Sequence, residues 1–277
     1  MNFFEKMLSK YSLDTTTDVT NATRELMQEV ALAGLYRGGF FDNAAFYGGS
    51  CLRIFYGLER FSENLDFSLL KANQKFSLRP YFKSIETEFN ALGMAIEIKE
   101  KIKLNKTNIE SAFLKQNTPI YNISIQNNKN IKIKFEVDTN PPLGFITENK
   151  LLLQPFSFFV KTYSLSDLFA GKMHALIYRN WKTRIKGRDW FDFEWYVKNG
   201  VELNLKHFAQ RAFQSKHLLS DNLSKQEFIN NLKNKVRSTD IEIAKNDIVS
   251  FIKDKRILNI WSSNYFLQLS DLIKFKE

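Results

Sequence analysis

The chain of 277 residues is predicted to be an α+β protein, with a mixed β-sheet and flanking helices in residues 1–162 and helices alone in residues 163–277. Two observations carry this prediction. Several short runs before residue 162 alternate apolar and polar residues, whereas the later residues repeat apolar positions every three or four residues. With 44% apolar residues, the chain can build an ordinary core, as one large domain or as two closely packed halves.

The first half is predicted to begin with a helix over 19–38, which ends at two consecutive glycines. The next elements are a strand to Tyr47, a turn at 48–50, a helix over 51–57, a strand over 61–69 and a helix over 78–92. Strands are then predicted at 94–103, 109–115, 119–126, 130–139 and 156–160. The alternation is clearest in 131–138, where the apolar and the charged residues point to opposite faces.

After residue 162 the pattern indicates helices over 165–179, 188–198, 204–216, 224–236, 240–253 and 262–275. His174 falls opposite the apolar arc of the first of these helices. We therefore expect His174 on the outer surface, without a chemical role.

The positive charge is concentrated in the second half of the chain. Residues 1–160 hold 19 Lys and Arg against 17 Asp and Glu, whereas residues 161–277 hold 21 against 13, and the whole chain carries +10. This asymmetry favours a polyanionic partner such as nucleic acid. A composition generally rich in Lys and Asn would give the same counts.

Several classes of protein are excluded by composition. The single cysteine, Cys51, leaves no internal disulfide framework, and three scattered histidines form no zinc motif. The first residues lack the apolar region of a signal peptide, and no apolar run approaches the roughly 18 residues of a membrane span. We expect a soluble cytoplasmic protein with no membrane partner.

The stretch from Phe46 to Leu70 contains a turn suited to binding phosphate. Gly48 and Gly49 allow a sharp turn, and Ser50 is expected to cap the helix that follows. The free N–H groups and the positive dipole end of that helix would then face an anion.

The following strand is suited to binding a metal ion. Asn64 and Asp66 are two residues apart, so both point to one side while Leu65 and Phe67 face the core. A further ligand could come from strand 131–138, whose polar face carries both Glu136 and Asp138. These carboxylates could equally pair with Lys132 or Lys134, and Asp66 could be an ordinary strand-end residue.

Lys172 lies inside the apolar arc of helix 165–179. A lysine on a buried face needs an anion or a carboxylate for its ammonium group, unless it extends to the rim of the helix. Lys172 is therefore a candidate ligand for phosphates or a partner for the acidic site.

A basic stretch and an acidic helix follow. Six basic residues and no acidic one occur from Lys172 to Arg188, with Trp181 among them, which suits contacts with phosphates and unpaired bases or a solvated loop. After Gly187, Asp189 and Asp192 lie on one side of a helix. They could orient Lys172 or Arg188, position an attacking hydroxyl, or only stabilise the first helical turn.

The sequence Gly49-Ser50, followed by Asn64-Leu65-Asp66, resembles the Gly-Ser…Asp-x-Asp signature of the polymerase-β-like nucleotidyltransferase superfamily. Within it, the chain resembles the AbiEii/AbiGii toxin family of bacterial abortive-infection and toxin–antitoxin systems. The resemblance covers about residues 25–200. It implies a polymerase-β-like sheet, Mg²⁺ as cofactor and an NTP as substrate.

The resemblance also implies roles for individual residues. Glu136 takes the place of the family's third acidic ligand, Lys172 matches an active-site lysine, and Arg188, Asp189 and Asp192 match a C-terminal active-site motif. The catalytic residues expected are Asp66, Glu136, Lys172 and Asp189, and the metal ligands are Asn64, Asp66 and Glu136. Nucleotide binding is expected from Gly49, Ser50, Arg53, Ser62, Lys172 and Arg188, with support from Asp138 and Asp192.

Asn64 departs from the family pattern, because an aspartate usually stands there. An amide keeps an oxygen ligand but loses the charge. Three interpretations stay open: a weaker enzyme, an enzyme in which Glu63 or Asp138 compensates, and a degenerate site that still binds nucleotide.

What is known of the family implies an RNA acceptor, the 3′ end of tRNA, and a DNA-binding antitoxin as genetic partner. Alternative acceptors are a protein hydroxyl or a small molecule. The third hypothesis is a nucleotide-binding or RNA-binding module without transfer activity. The helical half, residues 163–277, is expected to complete the active site.

Overall fold

The structure is a computed structural model that describes residues 3–101, 120–125, 128–142, 144–179 and 185–277. The strand predicted at 109–115 lies outside the described residues. In the first half the helices are α1 (Phe3–Leu8), α2 (Thr16–Arg37), α3 (Gly48–Tyr56) and α4 (Phe82–Ala91). The strands are β1 (Ala44–Tyr47), β2 (Asn64–Leu69), β3 (Ile96–Lys101), β4 (Ile120–Ile125), β5 (Asn128–Asp138), β6 (Thr147–Leu152) and β7 (Phe158–Tyr163).

These seven strands form one mixed sheet in the order β3-β4-β5-β2-β1-β7-β6. The pairs β2/β5 and β1/β7 are parallel, and the other neighbouring pairs are antiparallel. Helix α2 packs against β5 and β7 and against α4, and α3 packs against β2. The predicted mixed sheet with flanking helices is confirmed.

Alternation in β5 correctly predicts which face is buried. Ile133, Phe135 and Val137 are fully buried, while Lys134 and Glu136 between them are only partly covered. The apolar face joins Leu65 and Phe67 of β2 in the core, as predicted from their positions. The polar faces of β2 and β5 are therefore side by side on the other surface of the sheet.

Strand β6 was missed from sequence. It is an edge strand beside β7, and its side chains range from half-buried to exposed with no fully buried face. An edge strand with this pattern lacks the apolar alternation that identifies a strand from sequence.

The second half contains helices α5 (Leu165–Tyr178), α6 (Gly187–Lys198), α7 (Leu205–Gln214), α8 (Lys225–Arg237), α9 (Ile241–Ile248) and α10 (Ser263–Ser270). Its short strands β8 (Glu202–Leu203) and β9 (Lys274–Phe275) pair in parallel. The helix predicted over 262–275 therefore ends early, because its last residues pair with β8. Buried apolar side chains form one cluster that continues from the sheet into these helices. The boundary at residue 162 stays a prediction.

The predicted surface position of His174 is wrong. His174 is only 3% exposed, because α7 packs on the face of α5 that the apolar repeat assigned to solvent. Its ring lies near those of Tyr178 and His217, and Nε2 is 2.9 Å from Ser215 Oγ. Burial, with nearby positive charge, holds the pKa of His174 well below its usual value, so the ring is neutral.

None of the described helices is long and apolar enough to cross a lipid bilayer.

Candidate active site

The glycine turn places backbone directly against a carboxylate. Helix α3 begins at Gly48, whose φ of +85° is readily adopted only by glycine. A Cβ at this position would lie 2.7 Å from Asp66 Oδ2. The absence of a side chain at Gly48 therefore allows the Asp66 carboxylate to approach the first turn of α3.

Gly49 makes a second close approach. A Cβ there would lie 2.5 Å from Arg60 Nη2 and 3.3 Å from Ser62 Oγ. The structure thus brings Gly49 and Ser62, both predicted to bind nucleotide, next to each other. It adds Arg60, which sequence reasoning did not single out.

The prediction that Ser50 caps α3 is wrong, because the helix begins two residues earlier and its N-cap residue, Tyr47, makes no side-chain cap. Ser50 is buried, and its hydroxyl donates to the carbonyl oxygen of Asn64. This bond ties α3 to the start of β2. The N–H groups of residues 48–50 remain at the helix start without a capping side chain, which is the arrangement that favours an anion.

Asp66 and Glu136 are directly adjacent on parallel strands. The register of β2 and β5 pairs Asn64 with Lys134, Asp66 with Glu136 and Ser68 with Asp138. Burial and the charge of Glu136 raise the pKa of Asp66 to about 6, against the influence of three nearby lysines, Lys186, Lys172 and Lys134. The two carboxylates predicted as metal ligands thus form a repulsive pair.

Three neighbours complete this polar face. Lys134 forms an ion pair with Glu136 and partly compensates its charge. Asp138 lies two residues after Glu136 on β5 and accepts a hydrogen bond from the backbone N–H of Asn140. Asn64 lies one step before Asp66 on the same face, as its spacing predicted.

Lys172 binds the two aspartates of α6. Its Nζ lies 2.9 Å from Asp189 Oδ1 and 2.7 Å from Asp192 Oδ2, and its side chain is 13% exposed. The interpretation of Lys172 as a partner for carboxylates thus matches its contacts. Its positive charge also lowers the pKa of Asp66, so Lys172 in the helical half acts on the carboxylate pair of the sheet.

Asp192 is held by a buried arginine from the other half of the chain. Arg60 Nε and Nη2 each lie 2.6 Å from a different carboxylate oxygen of Asp192, and both residues are almost fully buried. Such a two-point pair is geometrically specific. Together with the Lys172 contact, it fixes α5 and α6 relative to the Gly49 turn.

Both aspartates are ionised. Burial alone would raise the pKa of Asp189, but Lys172 and Arg179 lower it far below the usual range, and Arg179 Nη1 lies 2.5 Å from Asp189 Oδ2. Burial also opposes ionisation of Asp192, while Arg60 and Lys172 lower its pKa overall. Carboxylates of such low basicity make poor general bases and suit the orientation of cations.

Lys186 is a site residue that sequence reasoning missed. It is the N-cap residue of α6, where the helix dipole disfavours a positive charge. Burial and the positive charges of Arg179, Lys172 and Arg188 lower its pKa to about 8, although Asp189 opposes this shift. No ion pair within 4.0 Å joins Lys186 to a carboxylate of the described residues. The signal available from sequence was a lysine at a helix N-terminus.

The other two predicted nucleotide ligands are bound to glutamates. Arg188 Nη1 lies 3.3 Å from Glu63 Oε2, and its guanidinium stacks 4.1 Å from the centre of the Phe251 ring. Arg53 points into a different cavity, where its Nε lies 2.8 Å from Glu25 Oε2. The structure does not bring Arg53 together with the Asp66–Glu136 pair. Trp181, Lys182 and Arg184 lie outside the described residues.

Gly187 allows α6 to pack closely on α9. A Cβ at Gly187 would lie only 1.9 Å from the carbonyl oxygen of Ala244. The glycine predicted as a turn is therefore also a packing requirement, and it fixes the first turn of the helix that carries Asp189.

The residues present fit a magnesium ion. Among the described residues, no group of three or more His, Cys, Asp and Glu side chains is arranged to hold a metal ion by itself. Mg²⁺ is commonly bound through one or two carboxylates together with substrate phosphates. The Asp66–Glu136 pair, with the Asn64 amide beside it, offers this type of incomplete ligand set.

Replacement of Lys186 by Met should stabilise the protein while removing a charge from the site. A lysine with a pKa of about 8 when folded and about 10.4 when unfolded binds more protons in the unfolded state between these pH values. Its contribution to stability therefore rises with pH across that window and is unfavourable below it. We expect Lys186→Met to raise the free energy of unfolding at pH 7 by about 1–3 kcal/mol.

Urea unfolding of both proteins from pH 6 to pH 10 measures this effect, and the stability difference should shrink above pH 8. Lys198→Met is the matched control, because Lys198 is exposed in the last turn of the same helix. This control should change stability by no more than about 0.5 kcal/mol. A Lys186→Met difference that is independent of pH would contradict the assignment.

Comparison with known proteins identifies a family over most of the chain. The model of the family described as "Nucleotidyl transferase AbiEii toxin, Type IV TA system" matches residues 30–268. A comparison with curated protein sequences gives no match.

Two solved structures share the fold at low sequence identity. JHP933 from Helicobacter pylori is 16% identical, with a TM-score of 0.53, and the match covers 91% of this chain and 90% of that chain. MenT4, a nucleotidyltransferase toxin from Mycobacterium tuberculosis H37Rv, is 13% identical, with a TM-score of 0.50 and coverage of 97% and 98%.

The family match spans the whole seven-stranded sheet and most of the helical half, and it includes the predicted site residues. A toxin family of a type IV toxin–antitoxin system implies an antitoxin partner, and nucleotidyl transfer implies an NTP substrate. The chain belongs to the AbiEii nucleotidyl transferase toxin family.

Proposed function

We propose that this chain is a Mg²⁺-dependent toxin that transfers a nucleotidyl group from an NTP to RNA, with the 3′ end of tRNA as acceptor. One observation carries the proposal. Asp66 and Glu136 lie side by side on parallel strands, Asp66 lies against Gly48 at the uncapped start of α3, and the charge of Lys172 lowers the pKa of Asp66. This combination provides a second carboxylate, backbone N–H groups and a positive charge in the surroundings of Asp66.

Asp66 and Glu136 would hold the Mg²⁺ ion, with the amide oxygen of Asn64 as a weaker ligand. The ion would neutralise charge on the phosphates and orient them for in-line displacement. The raised pKa of Asp66 supports this assignment, because a cation at this place relieves the repulsion between the two carboxylates.

The chain's own groups would bind the triphosphate. The N–H groups of Gly49 and Ser50 at the start of α3, with the Ser62 hydroxyl, suit one group of phosphate oxygens. Lys172 and Lys186 suit the other side. Asp189 and Asp192 would position Lys172, since both accept its hydrogen bonds and both are held by arginines. Arg188 would need to exchange its exposed partner, Glu63, for a phosphate.

RNA is favoured as the acceptor by charge. Residues 161–277 carry 21 basic against 13 acidic side chains, and a polyanion fits this excess. The tRNA 3′ end and the DNA-binding antitoxin follow from the resemblance to the family. A cytoplasmic location is proposed because tRNA and a DNA-binding partner would both be found there. A protein hydroxyl or a small molecule is the alternative acceptor.

Replacement of the two carboxylates and the lysine should abolish transfer. For Asp66→Asn, Glu136→Gln and Lys172→Met, we expect at least about a hundredfold loss of nucleotidyl transfer, because each removes charge at the reacting phosphates. The measurement is incorporation of label from an NTP labelled at its α-phosphate into RNA, protein or neither, in total cell lysate.

Glu97→Gln is the control, because Glu97 lies on β3 in a surface ion pair with Lys99. Unimpaired transfer by any of the three site variants would remove that residue from the mechanism. Label in protein instead of RNA would support the alternative acceptor.

The second candidate function is a nucleotide-binding or RNA-binding module without transfer activity, and Asn64 is the observation that favours it. The variant Asn64→Asp adds a charged ligand beside Asp66. In an active but weakened enzyme, the substitution should increase both Mg²⁺ affinity and transfer rate. Transfer that occurs only in Asn64→Asp, and not in the natural chain, would establish the degenerate site.

A further inference from the structure

A cleft lies beyond the end of β5, between the residues after that strand, the loop after β2 and helix α7. Its volume is about 360 Å³, which is within the range of ligand pockets. The lining includes Ala72, Asn140, Pro141, Gln210, Phe213 and Gln214. We call it the acceptor cleft.

The acceptor cleft is close to the carboxylate pair. Asn140 follows Glu136 by four residues, so their Cα atoms are at most about 14 Å apart. Its wall is fixed by two hydrogen bonds: Gln214 Nε2 donates to the carbonyl of Asn140 at 2.8 Å, and the N–H of Asn73 donates to the carbonyl of Thr139 at 2.9 Å. A few nucleotides of single strand can span this distance.

The chemistry of the cleft suits an unstacked base. Phe213 is 50% exposed and offers an aromatic surface. The side-chain amides of Gln210 and Gln214 offer hydrogen-bond donors and acceptors next to it. Stacking on an aromatic ring combined with polar contacts to the base edge is how proteins recognise single-stranded nucleic acid.

The charge around the cleft is mainly positive, although Asp138, which accepts a hydrogen bond from the backbone N–H of Asn140, is a nearby carboxylate. In the three segments that line it, residues 70–77, 139–142 and 205–214, the charged residues are Lys71, Lys75, Lys206 and Arg211. A phosphate backbone complements this set, whereas a basic peptide or a cationic small molecule would be repelled.

Arg211 adds an independent observation. Its Nε is buried without a hydrogen-bond partner among the described residues, and no ion pair within 4.0 Å joins it to a described carboxylate. A Cβ at Gly171, the residue before Lys172, would lie 4.0 Å from this Nε. An arginine of α7 that lies near α5 and has no described carboxylate within ion-pair distance is suited to bind a phosphate.

We propose that the acceptor cleft binds the single-stranded end of the acceptor RNA, with one base stacked on Phe213 and an adjoining phosphate on Arg211. This rests on the proposed function for the identity of the acceptor. The bound strand would lead from the cleft along the end of β5 to the Asp66–Glu136 pair.

Affinity for a short fluorescent single-stranded RNA, measured by anisotropy without NTP, tests the proposal. Phe213→Ala should weaken binding about tenfold or more, the loss expected for one stacked base. Phe213→Tyr should retain affinity, and Phe213→Leu should behave as Phe213→Ala. Arg211→Met should weaken binding and reduce the slope of log affinity against log salt by about 0.7, as for one lost phosphate contact.

Phe159→Ala is the matched control, because Phe159 is 55% exposed but lies on β7, three strands away from β5. The melting temperature of each variant checks that it folds. Unchanged RNA affinity in Phe213→Ala would overturn the proposal, including the case in which that variant loses binding to an antitoxin instead. Lost RNA affinity in a protein that transfers no label from any NTP would support the cleft and contradict the proposed function.

Discussion

The buried pair between Arg60 and Asp192 is the interaction on which the arrangement of the site depends. Arg60 precedes β2 and lies against Gly49, whereas Asp192 belongs to α6 and also accepts a hydrogen bond from Lys172. Burial of two charges is unfavourable unless their geometry is good, and loss of one partner typically costs about 3–5 kcal/mol. The two-point geometry therefore holds the glycine turn, which is proposed to bind phosphate, and Lys172 at a fixed separation.

The same network explains how positive charge is held near the sheet carboxylates. Asp189 and Asp192 bind Lys172, Arg179 and Arg60, but Lys186 lies among these cations without a close carboxylate of its own in the described structure. Across from it, Asp66 and Glu136 repel each other. The cations around Lys186 and the two carboxylates are each an unfavourable arrangement alone. A metal ion bound to the carboxylates and a triphosphate bound to the cations would reduce both repulsions. A site of this kind lowers the stability of the folded protein and favours the binding of its ligands.

Local patterns predicted the part of the site that lies on neighbouring strands. The two-residue period placed Asn64 and Asp66 on one face and Glu136 on the polar face of β5, and the register brings Asp66 and Glu136 together. The repeat of apolar residues along a strand or helix could not predict the Arg60–Asp192 pair, because its members are 132 positions apart in the sequence. It also misplaced His174, because a helical repeat shows which face is apolar but not that a second helix covers the opposite face. The role of Ser50 depends on the residue at which α3 begins. Helix boundaries are uncertain by one or two residues, so the sequence could not decide that role.

The proposed reaction is tested most directly by incubation of the purified protein with tRNA and, separately, each of the four NTPs labelled at the α-phosphate. Half of the tRNA is oxidised with periodate beforehand to destroy its terminal 3′ hydroxyl groups. We expect label to enter untreated tRNA in a reaction that EDTA stops, and no label to enter oxidised tRNA. No incorporation from any NTP, or equal incorporation into both tRNA samples, would contradict transfer to the 3′ end.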